Sequence, residues 1–131
     1  LLLTAPASAG AVVVGIGDQK ADMFGDARFQ RLNIKHARIN VPWDAMRHGW
    51  EVEQIDRWMQ GAFSRGVHPL VSFSRSRIQP DVLPTAAEYR QMWKNVRARF
   101  DPTSVGAGTA VAFRLAAVSR ASSTSRNQTI R

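Results

Sequence analysis

The feature that most constrains the fold is an alternation of strand-like and helix-like segments over the first hundred residues. Three runs rich in apolar and β-branched residues, at 11–16, 37–41 and 67–73, are each followed by a segment whose apolar residues fall at helical spacing. Strands that alternate with helices in this way pair in parallel through crossover connections. The sequence therefore predicts an α/β fold in which about three βα units share a parallel sheet.

The helical segments have recognisable beginnings. Asp26 is the predicted N-cap of a short first helix, with Leu32 facing inward. The second helix is predicted over about residues 52–65 and is followed by a glycine, the residue that most often ends a helix. Thr85 and Glu88 have the spacing of a capping box and open the third helix.

Composition narrows the classes of function. The chain of 131 residues has no cysteine, and its 18 basic and 10 acidic residues give a formal charge of +8. The lack of cysteine excludes a disulfide scaffold and cysteine-based metal sites. No apolar run reaches the roughly 20 residues that span a bilayer, so no membrane association is expected. The three histidines lack the spacing of metal ligands, and we expect neither a metal nor a cofactor.

The two ends differ in character from the middle. Residues 1–9 resemble the end of a secretory signal peptide, with the small residues of 7–9 at the cleavage position, which predicts an extracellular protein; a mobile apolar terminus is the alternative. Residues 102–131 contain no Asp or Glu and are rich in Ser, Thr and Arg, so a basic, poorly structured tail is expected. The barrel-like part is then predicted to be residues 10–101.

Polar side chains follow each predicted strand, at the end where parallel α/β proteins bind their ligands. Because the carboxyl ends of parallel strands meet at one edge of the sheet, these side chains are expected to converge. A tryptophan among amides, carboxylates and guanidinium groups suits a sugar, which stacks on an indole and pairs its hydroxyls. The candidate binding residues at these strand ends are Asp18, Gln19, Asn40, Trp43, Asp44, Ser74, Arg75 and Arg77.

Four segments carry a family resemblance: residues 15–19 read GIGDQ, 36–44 read HARINVPWD, 66–74 read GVHPLVSFS and 83–90 read LPTAAEYR. Together they resemble the beginning of secreted actinobacterial glycoside-hydrolase-like proteins with a (β/α)₈ barrel, over about residues 12–100. The resemblance implies a partial TIM-type barrel and the hydrolysis of O-glycosidic bonds by a retaining mechanism. It also implies that Arg38, Trp43, Asp44 and the loop 74–77 belong to the substrate-binding rim, which adds Arg38 to the candidate binding residues. In that family one glutamate, after strand four, is the acid/base, and another, at the end of strand seven, is the nucleophile.

Neither catalytic glutamate has a counterpart in this sequence. Glu51, Glu53 and Glu88 all lie near predicted helix starts, where they favour the helix dipole. A pair formed by Asp18 and Asp44 is disfavoured, because the related enzymes place no catalytic group at those positions. We therefore predict no catalytic residue. The chain is expected to be an incomplete glycosidase-like product, through truncation, a frameshift or a wrong gene model, and inactive by itself.

Two other functions are compatible with the sequence. A secreted, non-catalytic carbohydrate-binding accessory protein would use the same candidate residues. Nonspecific polyanion binding would use Arg75, Arg77, Arg97, Arg99 and the basic tail, and its affinity would fall steeply with salt. Because Arg97 and Arg99 lie on a helix patterned for packing, a solvated face is the favoured interpretation for them. The expected partner is thus a carbohydrate, with no specific nucleic acid.

Overall fold

The computed structural model describes residues 12–100 and the backbone of residues 112–113. The strands are β1 (Ile16–Gly17), β2 (His36–Pro42), β3 (His68–Ser74) and β4 (Ala112–Phe113), and the helices are α1 (Ala27–Arg31), α2 (Gly49–Ser64) and α3 (Ala86–Phe100). Short 3₁₀ helices, Ala21–Gly25 and Ala45–Arg47, follow β1 and β2. Helices thus separate successive strands, as the sequence predicts.

The strands form one parallel sheet in the order β1-β2-β3-β4. The pairing of β2 with β3 runs along the whole of both strands, from His36 opposite His68 to Pro42 opposite Ser74. A hydrogen bond of 3.0 Å from the Trp43 N–H to the Ser74 carbonyl continues the pairing into the loop after β2. Sequence neighbours are therefore also sheet neighbours, which confirms an α/β fold built from consecutive βα units.

The two faces of the sheet have different surroundings. Alternate strand side chains are buried in one hydrophobic core together with apolar residues of the helices, and on β2 these are Ala37, Ile39 and Val41. Because successive side chains of a strand point to opposite faces, the residues between them belong to the other face. There Arg38 is exposed, and the His36 and His68 rings stack with their centroids 5.3 Å apart.

Helix α2 supplies the centre of the core. Trp58 is fully buried and makes an edge-to-face contact with Phe24, their ring centroids 5.0 Å apart. Its indole N–H donates a 2.9 Å hydrogen bond to the carbonyl of Asp18, in the loop after β1. Trp58 therefore joins α2 both to the core and to the carboxyl end of β1.

The end of α2 follows from one residue. Gly66 has φ of +63°, a conformation that residues with a side chain rarely adopt. The N–H groups of Gly66 and Val67 donate to the carbonyls of Phe63 and Ala62, at 3.0 and 2.9 Å. These two hydrogen bonds form a Schellman motif, after which the chain continues directly into β3.

A close contact between α2 and the 3₁₀ helix after β1 leads to a first prediction. A Cβ atom on Gly61 would lie 2.6 Å from Cδ2 of Phe24, whose ring is held by Phe29 and Trp58. A glycine-to-alanine change inside a helix normally stabilises it by about 1 kcal/mol. Here we expect Gly61→Ala to lower the free energy of unfolding, measured in urea, by about 1–3 kcal/mol, because overpacking outweighs helix propensity.

Gly49→Ala is the matched control on the same helix. A Cβ atom on Gly49 meets no atom within 4 Å. This variant should gain stability or stay within about 0.5 kcal/mol of the wild type. Equal stability changes for the two variants would contradict the packing of Phe24 against α2.

Helix α3 begins with the predicted capping box. The Thr85 N–H donates to Glu88 Oε2 at 2.9 Å, and the Glu88 N–H donates to Thr85 Oγ1 at 3.2 Å. Arg47, in the 3₁₀ helix after β2, donates a 3.0 Å hydrogen bond to the other oxygen of the same carboxylate. Glu88 therefore both caps α3 and joins it to the loop after β2.

The Glu88 carboxylate makes the free energy of unfolding depend on pH. The Thr85 N–H, followed by the Arg47 guanidinium, holds the pKa of Glu88 at about 2, below its ordinary 4.5. Because the pKa is lower in the folded than in the unfolded chain, this stabilisation is complete above pH 4.5 and is lost as the pH falls towards 2. We expect Glu88→Gln to flatten the fall of unfolding free energy over that range, measured by urea denaturation at successive pH values. Glu53→Gln, at an exposed position of α2, is the control and should keep the wild-type slope.

The first strand is shorter than predicted. The sequence predicts a strand buried on both faces over residues 11–16, but Val12, Val13 and Val14 are exposed, and only Ile16 and Gly17 pair with β2. The physical reason is that β1 is an edge strand, and no described residue covers the apolar run that precedes it.

The position of Leu32 is also corrected. The sequence predicts that it faces inward, but its exposed fraction is 61%. Helix α1 has five residues and ends at Arg31, so Leu32 follows the helix instead of lying on its buried side. Phe29 alone among the α1 residues is buried, with Asp26 as the predicted N-cap accepting from the Arg28 N–H at 2.7 Å.

Strand β4 changes one expectation about the tail. The sequence offers no partner downstream for the apolar stretch near residue 112, yet the backbone of Ala112–Phe113 pairs in parallel with Leu70 and Val71 of β3. The partner is upstream, and the sheet acquires a fourth strand within the segment predicted to be poorly structured. The remaining residues of 102–131, like the signal-like residues 1–9, lie outside the described part of the chain.

Candidate functional site

The loops after β1, β2 and β3 meet at the carboxyl edge of the sheet. The Gln19 side-chain amide, with its nitrogen towards the Asn40 carbonyl and its oxygen towards the Asn40 N–H, makes hydrogen bonds of 2.9 and 3.0 Å to that residue. The Ser72 hydroxyl donates to the Asn40 side-chain oxygen. The structure therefore brings Gln19 and Asn40 together, as the sequence predicts, and their contacts fix the loop after β1 against β2.

Asp44 is buried where the loops after β2 and β3 meet. It is 6% exposed, and its Oδ2 accepts a 2.6 Å hydrogen bond from Ser76, which follows β3. The Ser76 hydroxyl accepts in turn from the N–H groups of Ile78 and Gln79, at 3.1 and 2.9 Å. The loops after β2 and β3 are thus held together by a buried carboxylate and a buried hydroxyl.

His48 and Glu51 extend this contact into α2. The His48 Nε2 lies 3.3 Å from Asp44 Oδ2, and the His48 side chain is 28% exposed. Glu51 is in the first turn of α2, as predicted, but it is only 1% exposed and points into the protein beside Asp44 and Arg77. One potential ligand atom from each of Asp44, His48 and Glu51 lies within 4.8 Å of the other two.

The Glu51 carboxylate has an unusual environment. Neither of its oxygens accepts a hydrogen bond from any described residue, and the nearest cation is Arg77, whose guanidinium nitrogen lies 3.6 Å from Oε1. Burial raises the pKa of Glu51, the Arg77 charge opposes that rise, and the neighbouring Asp44 carboxylate adds to it. The ionised form of Glu51 is therefore incompletely compensated at the carboxyl edge of the sheet.

Arg77 lines an open cleft on the outer side of this cluster. Its guanidinium donates a 3.3 Å hydrogen bond to Gln54 and lies 6.0 Å from the centroid of the Trp50 ring, which is 46% exposed. The cleft has a volume of about 570 Å³ and is lined by Gln19, Lys20, Ala21, Asp22, Gln54, Arg57 and Arg77. Two predicted residues from separate loops, Gln19 and Arg77, thus line one surface.

Trp43 does not have the role predicted for it. The sequence presents it as an aromatic surface for a ligand, but it is 6% exposed, and the Arg47 guanidinium covers its ring at 4.9 Å from the centroid. Trp43, Asp44 and Glu88 are among the residues that line a second cavity of about 350 Å³, between the loop after β2 and α3. The exposed tryptophan at this edge is Trp50 instead.

Four other predicted residues are not brought into the cleft. The Asp18 carboxylate accepts from the Lys20 N–H at 2.9 Å, and so shapes its own turn. Arg38 lies near the beginning of β2, on the open face of the sheet beside Gly17. Ser74 ends β3 and directs its hydroxyl towards the carbonyl of Arg75, at 3.4 Å, while Arg75 is exposed.

Two of the arginines considered for polyanion binding, Arg97 and Arg99, contact other side chains of the protein. Arg99 makes two hydrogen bonds to the Asp56 carboxylate, at 2.8 and 2.6 Å, and joins α3 to α2. Arg97 lies over the ring of Trp93, 5.1 Å from its centroid. The interpretation of Arg97 and Arg99 as part of a packed, solvated helix therefore agrees with their contacts.

Asp44 and Glu51 do not form a hydrolytic pair. Two carboxylates that cleave a glycosidic bond must both reach the bound sugar, one to protonate the leaving oxygen and one to attack. Asp44 is 6% exposed and lines the cavity between the loop after β2 and α3, whereas Glu51 is 1% exposed and does not line it. Asp18, the other carboxylate weighed for such a pair, is engaged in its own turn.

The sequence missed three residues of this edge: His48, Trp50 and Glu51. A signal for two of them was present, because positions 44, 48 and 51 have the i, i+4, i+7 spacing of one helical face. Histidine spacing alone does not predict this set, because it combines one imidazole with two carboxylates. No sequence signal identifies Trp50, since its exposure depends on where α2 begins.

Comparison with known proteins identifies no relative of this chain. Within residues 12–100, no helix is both long and apolar enough to cross a membrane. No protein-family model matches the chain, and neither the curated proteins nor the solved structures include a match to it.

Proposed function

We propose that the chain is a glycoside-hydrolase-like protein that binds a carbohydrate at the carboxyl edge of its parallel sheet without cleaving it. The observation that carries this proposal is the cleft in which Gln19, from the loop after β1, and Arg77, from the loop after β3, line one surface. Non-catalytic binding is common to an inactive glycosidase-like chain and to a secreted accessory protein. An extracellular location, supported by the signal-like residues 1–9, is part of the proposal.

The chemistry of the cleft suits a sugar. Its Arg, Gln, Lys and Asp side chains offer paired donors and acceptors at a concave surface, as hydroxyl groups require. Trp50 does not line the cleft itself, but its ring centroid lies 6.0 Å from the guanidinium of Arg77, which does. Its exposed fraction of 46% leaves part of the indole for contact with the C–H face of a sugar ring.

A partial (β/α)₈ barrel is the finer fold that we propose. Its support is the resemblance of four segments to barrel proteins, together with the sheet order β1-β2-β3-β4, in which each strand pairs with its successor in sequence. A core shared with the helices lies on one face of the strands, while polar residues such as Arg38 and Asn40 belong to the other. In a closed barrel the helices surround the sheet in the same way.

Isothermal titration calorimetry of the full chain with hexasaccharides of glucose, xylose and mannose tests the binding. We expect at least one to bind, and Trp50→Ala or Arg77→Gln to weaken that binding about tenfold, the effect of losing roughly 1.4 kcal/mol. Arg97→Gln is the matched control, because Arg97 also lies over a tryptophan, but on α3. The proposal fails if none of the three sugars binds, or if Trp50→Ala and Arg77→Gln both bind as the wild type does.

The absence of cleavage has a separate test. Among the described residues Asp22 is the one carboxylate that lines the cleft, while Asp44 and Glu51 are buried and Asp18 is engaged in its own turn. The cleft therefore offers no pair of carboxylates, and residues 102–131 contain no Asp or Glu. Incubation of the purified chain with nitrophenyl glycosides of the same three sugars should therefore release no nitrophenol. Release that disappears in a variant of a residue at this edge would contradict the non-catalytic assignment.

A further inference from the structure

We propose that Asp44, His48 and Glu51 form a binding site for a divalent transition-metal cation such as Zn²⁺. One potential ligand atom of each residue, a ring nitrogen and two carboxylate oxygens, lies within 4.8 Å of the other two. Asp44 and His48 flank the 3₁₀ helix Ala45–Arg47, and Glu51 lies in the first turn of α2, so short regular elements fix their spacing. None of the three residues lines the cleft proposed for sugar, although Arg77 borders both.

Buried oxygens without donors are the observation that points to a ligand. Glu51 is 1% exposed and both its oxygens lack a hydrogen-bond donor among the described residues; the same holds for Asp44 Oδ1. Buried polar groups are nearly always satisfied, and a buried carboxylate with no partner is strongly unfavourable. A cation placed between these carboxylates supplies the missing partner for oxygens of both residues.

Arg77 does not fully provide that partner. Its guanidinium nitrogen lies 3.6 Å from Glu51 Oε1, beyond hydrogen-bond length, and donates instead to Gln54 at 3.3 Å. The Arg77 side chain is also 41% exposed, which leaves it largely solvated. One guanidinium opposite two carboxylates still leaves a net negative charge in the cluster, and this charge favours a cation.

The surroundings orient the proposed ligands. Ser76 donates to Asp44 Oδ2 at 2.6 Å, and two backbone N–H groups hold the Ser76 hydroxyl in turn. Carboxylate ligands of metals are commonly fixed by such outer hydrogen bonds. His48 is 28% exposed, so it is the ligand through which an ion can enter, and the one that can move inward as bonds of about 2.0–2.2 Å form.

The donor set selects the kind of ion. Mg²⁺ and Ca²⁺ prefer oxygen ligands alone, whereas one imidazole with two carboxylates suits Zn²⁺. Among first-row divalent ions such a site also favours Zn²⁺ over Mn²⁺. Three protein ligands leave the fourth position of a tetrahedral zinc ion open for water or another ligand.

The experiment is a titration of the chelator-treated full chain with ZnCl₂, and separately with MgCl₂, by isothermal titration calorimetry. We expect one Zn²⁺ per chain, and Mg²⁺ binding at least about 100-fold weaker. Glu51→Gln and His48→Gln should each lower Zn²⁺ affinity about 100-fold, and Ser76→Ala about tenfold, since it acts by positioning Asp44. His48 is partly exposed, so its variant is the one expected to keep the fold, and circular dichroism checks this for all variants.

His68→Gln is the matched control, because His36 and His68 form a pair of adjacent imidazoles away from the proposed site, on the other face of the sheet. It should bind Zn²⁺ as the wild type does. Three results would overturn the proposal: no Zn²⁺ binding to the wild type, unchanged affinity in folded His48→Gln and Glu51→Gln, or loss of binding in His68→Gln. Equal affinity for Mg²⁺ and Zn²⁺ would overturn the assignment to a transition metal.

Discussion

Replacing Trp58 with alanine is expected to remove most of the stability of the chain. Trp58 is fully buried, contacts Phe24 and donates to the Asp18 carbonyl, so its loss leaves a cavity in the core and an unpaired carbonyl. Large-to-small changes of this kind cost about 3–5 kcal/mol. Folded domains have about 5–15 kcal/mol of stability, and a chain of this size lies near the low end of that range. The urea midpoint of Trp58→Ala should therefore fall close to zero denaturant.

Two further tryptophan variants show whether packing is the cause. Trp58→Phe keeps an aromatic ring beside Phe24 but loses the hydrogen bond, and should cost about 1–2 kcal/mol. Trp50→Ala removes a tryptophan that is 46% exposed on the same helix, and should change stability by no more than about 0.5 kcal/mol. Equal losses in Trp58→Ala and Trp50→Ala would contradict the arrangement of α2 over the sheet.

Glu51→Met should stabilise the chelator-treated protein by about 1–3 kcal/mol, which is the usual cost of burying polar atoms without partners. Methionine fills a similar volume, contributes no charge and removes the repulsion between Glu51 and Asp44. Arg77 keeps its bond to Gln54 and its exposure to solvent. Urea denaturation in the presence of a chelator measures the effect.

Glu53→Met is the control for this change. Glu53 is exposed on the same helix, so its replacement should alter stability by at most about 0.5 kcal/mol. With excess Zn²⁺ the advantage of Glu51→Met should shrink or reverse, because an ion that binds only the folded wild type stabilises it. A loss of more than about 1 kcal/mol in Glu51→Met under chelation would show instead that the ion pair with Arg77 stabilises the fold.

Much of the fold could be predicted because local patterns and tertiary packing agree. The Thr85–Glu88 capping box opens α3, and Gly66 ends α2 with positive φ. Strands β2 and β3 lie within one residue of their predicted bounds. Such features depend on residues near one another in sequence, so the sequence is enough to predict them.

The predictions fail where the burial of a side chain depends on tertiary packing. The valines before β1 are apolar enough for a buried strand, but burial requires a neighbour that the described residues do not supply. Trp43 is predicted to present its ring to a ligand, but the ring is buried and covered by the Arg47 guanidinium. Glu51 is predicted to interact with the helix dipole at the start of α2. Its burial follows from the packing of α2 against the loops after β2 and β3. Side-chain burial at a loop edge is set by three-dimensional assembly, which local spacing does not determine.

The most direct test of binding at the carboxyl edge is amide NMR of the ¹⁵N-labelled full chain during titration with the hexasaccharide that binds best. The largest shift changes should cluster in residues 18–22, 50–57 and 75–79, which form and surround the cleft. A separate cavity, lined in part by Asn33 and Arg65, provides the contrast. Changes centred on Asn33 and Arg65, with the cleft residues unmoved, would contradict the proposed site.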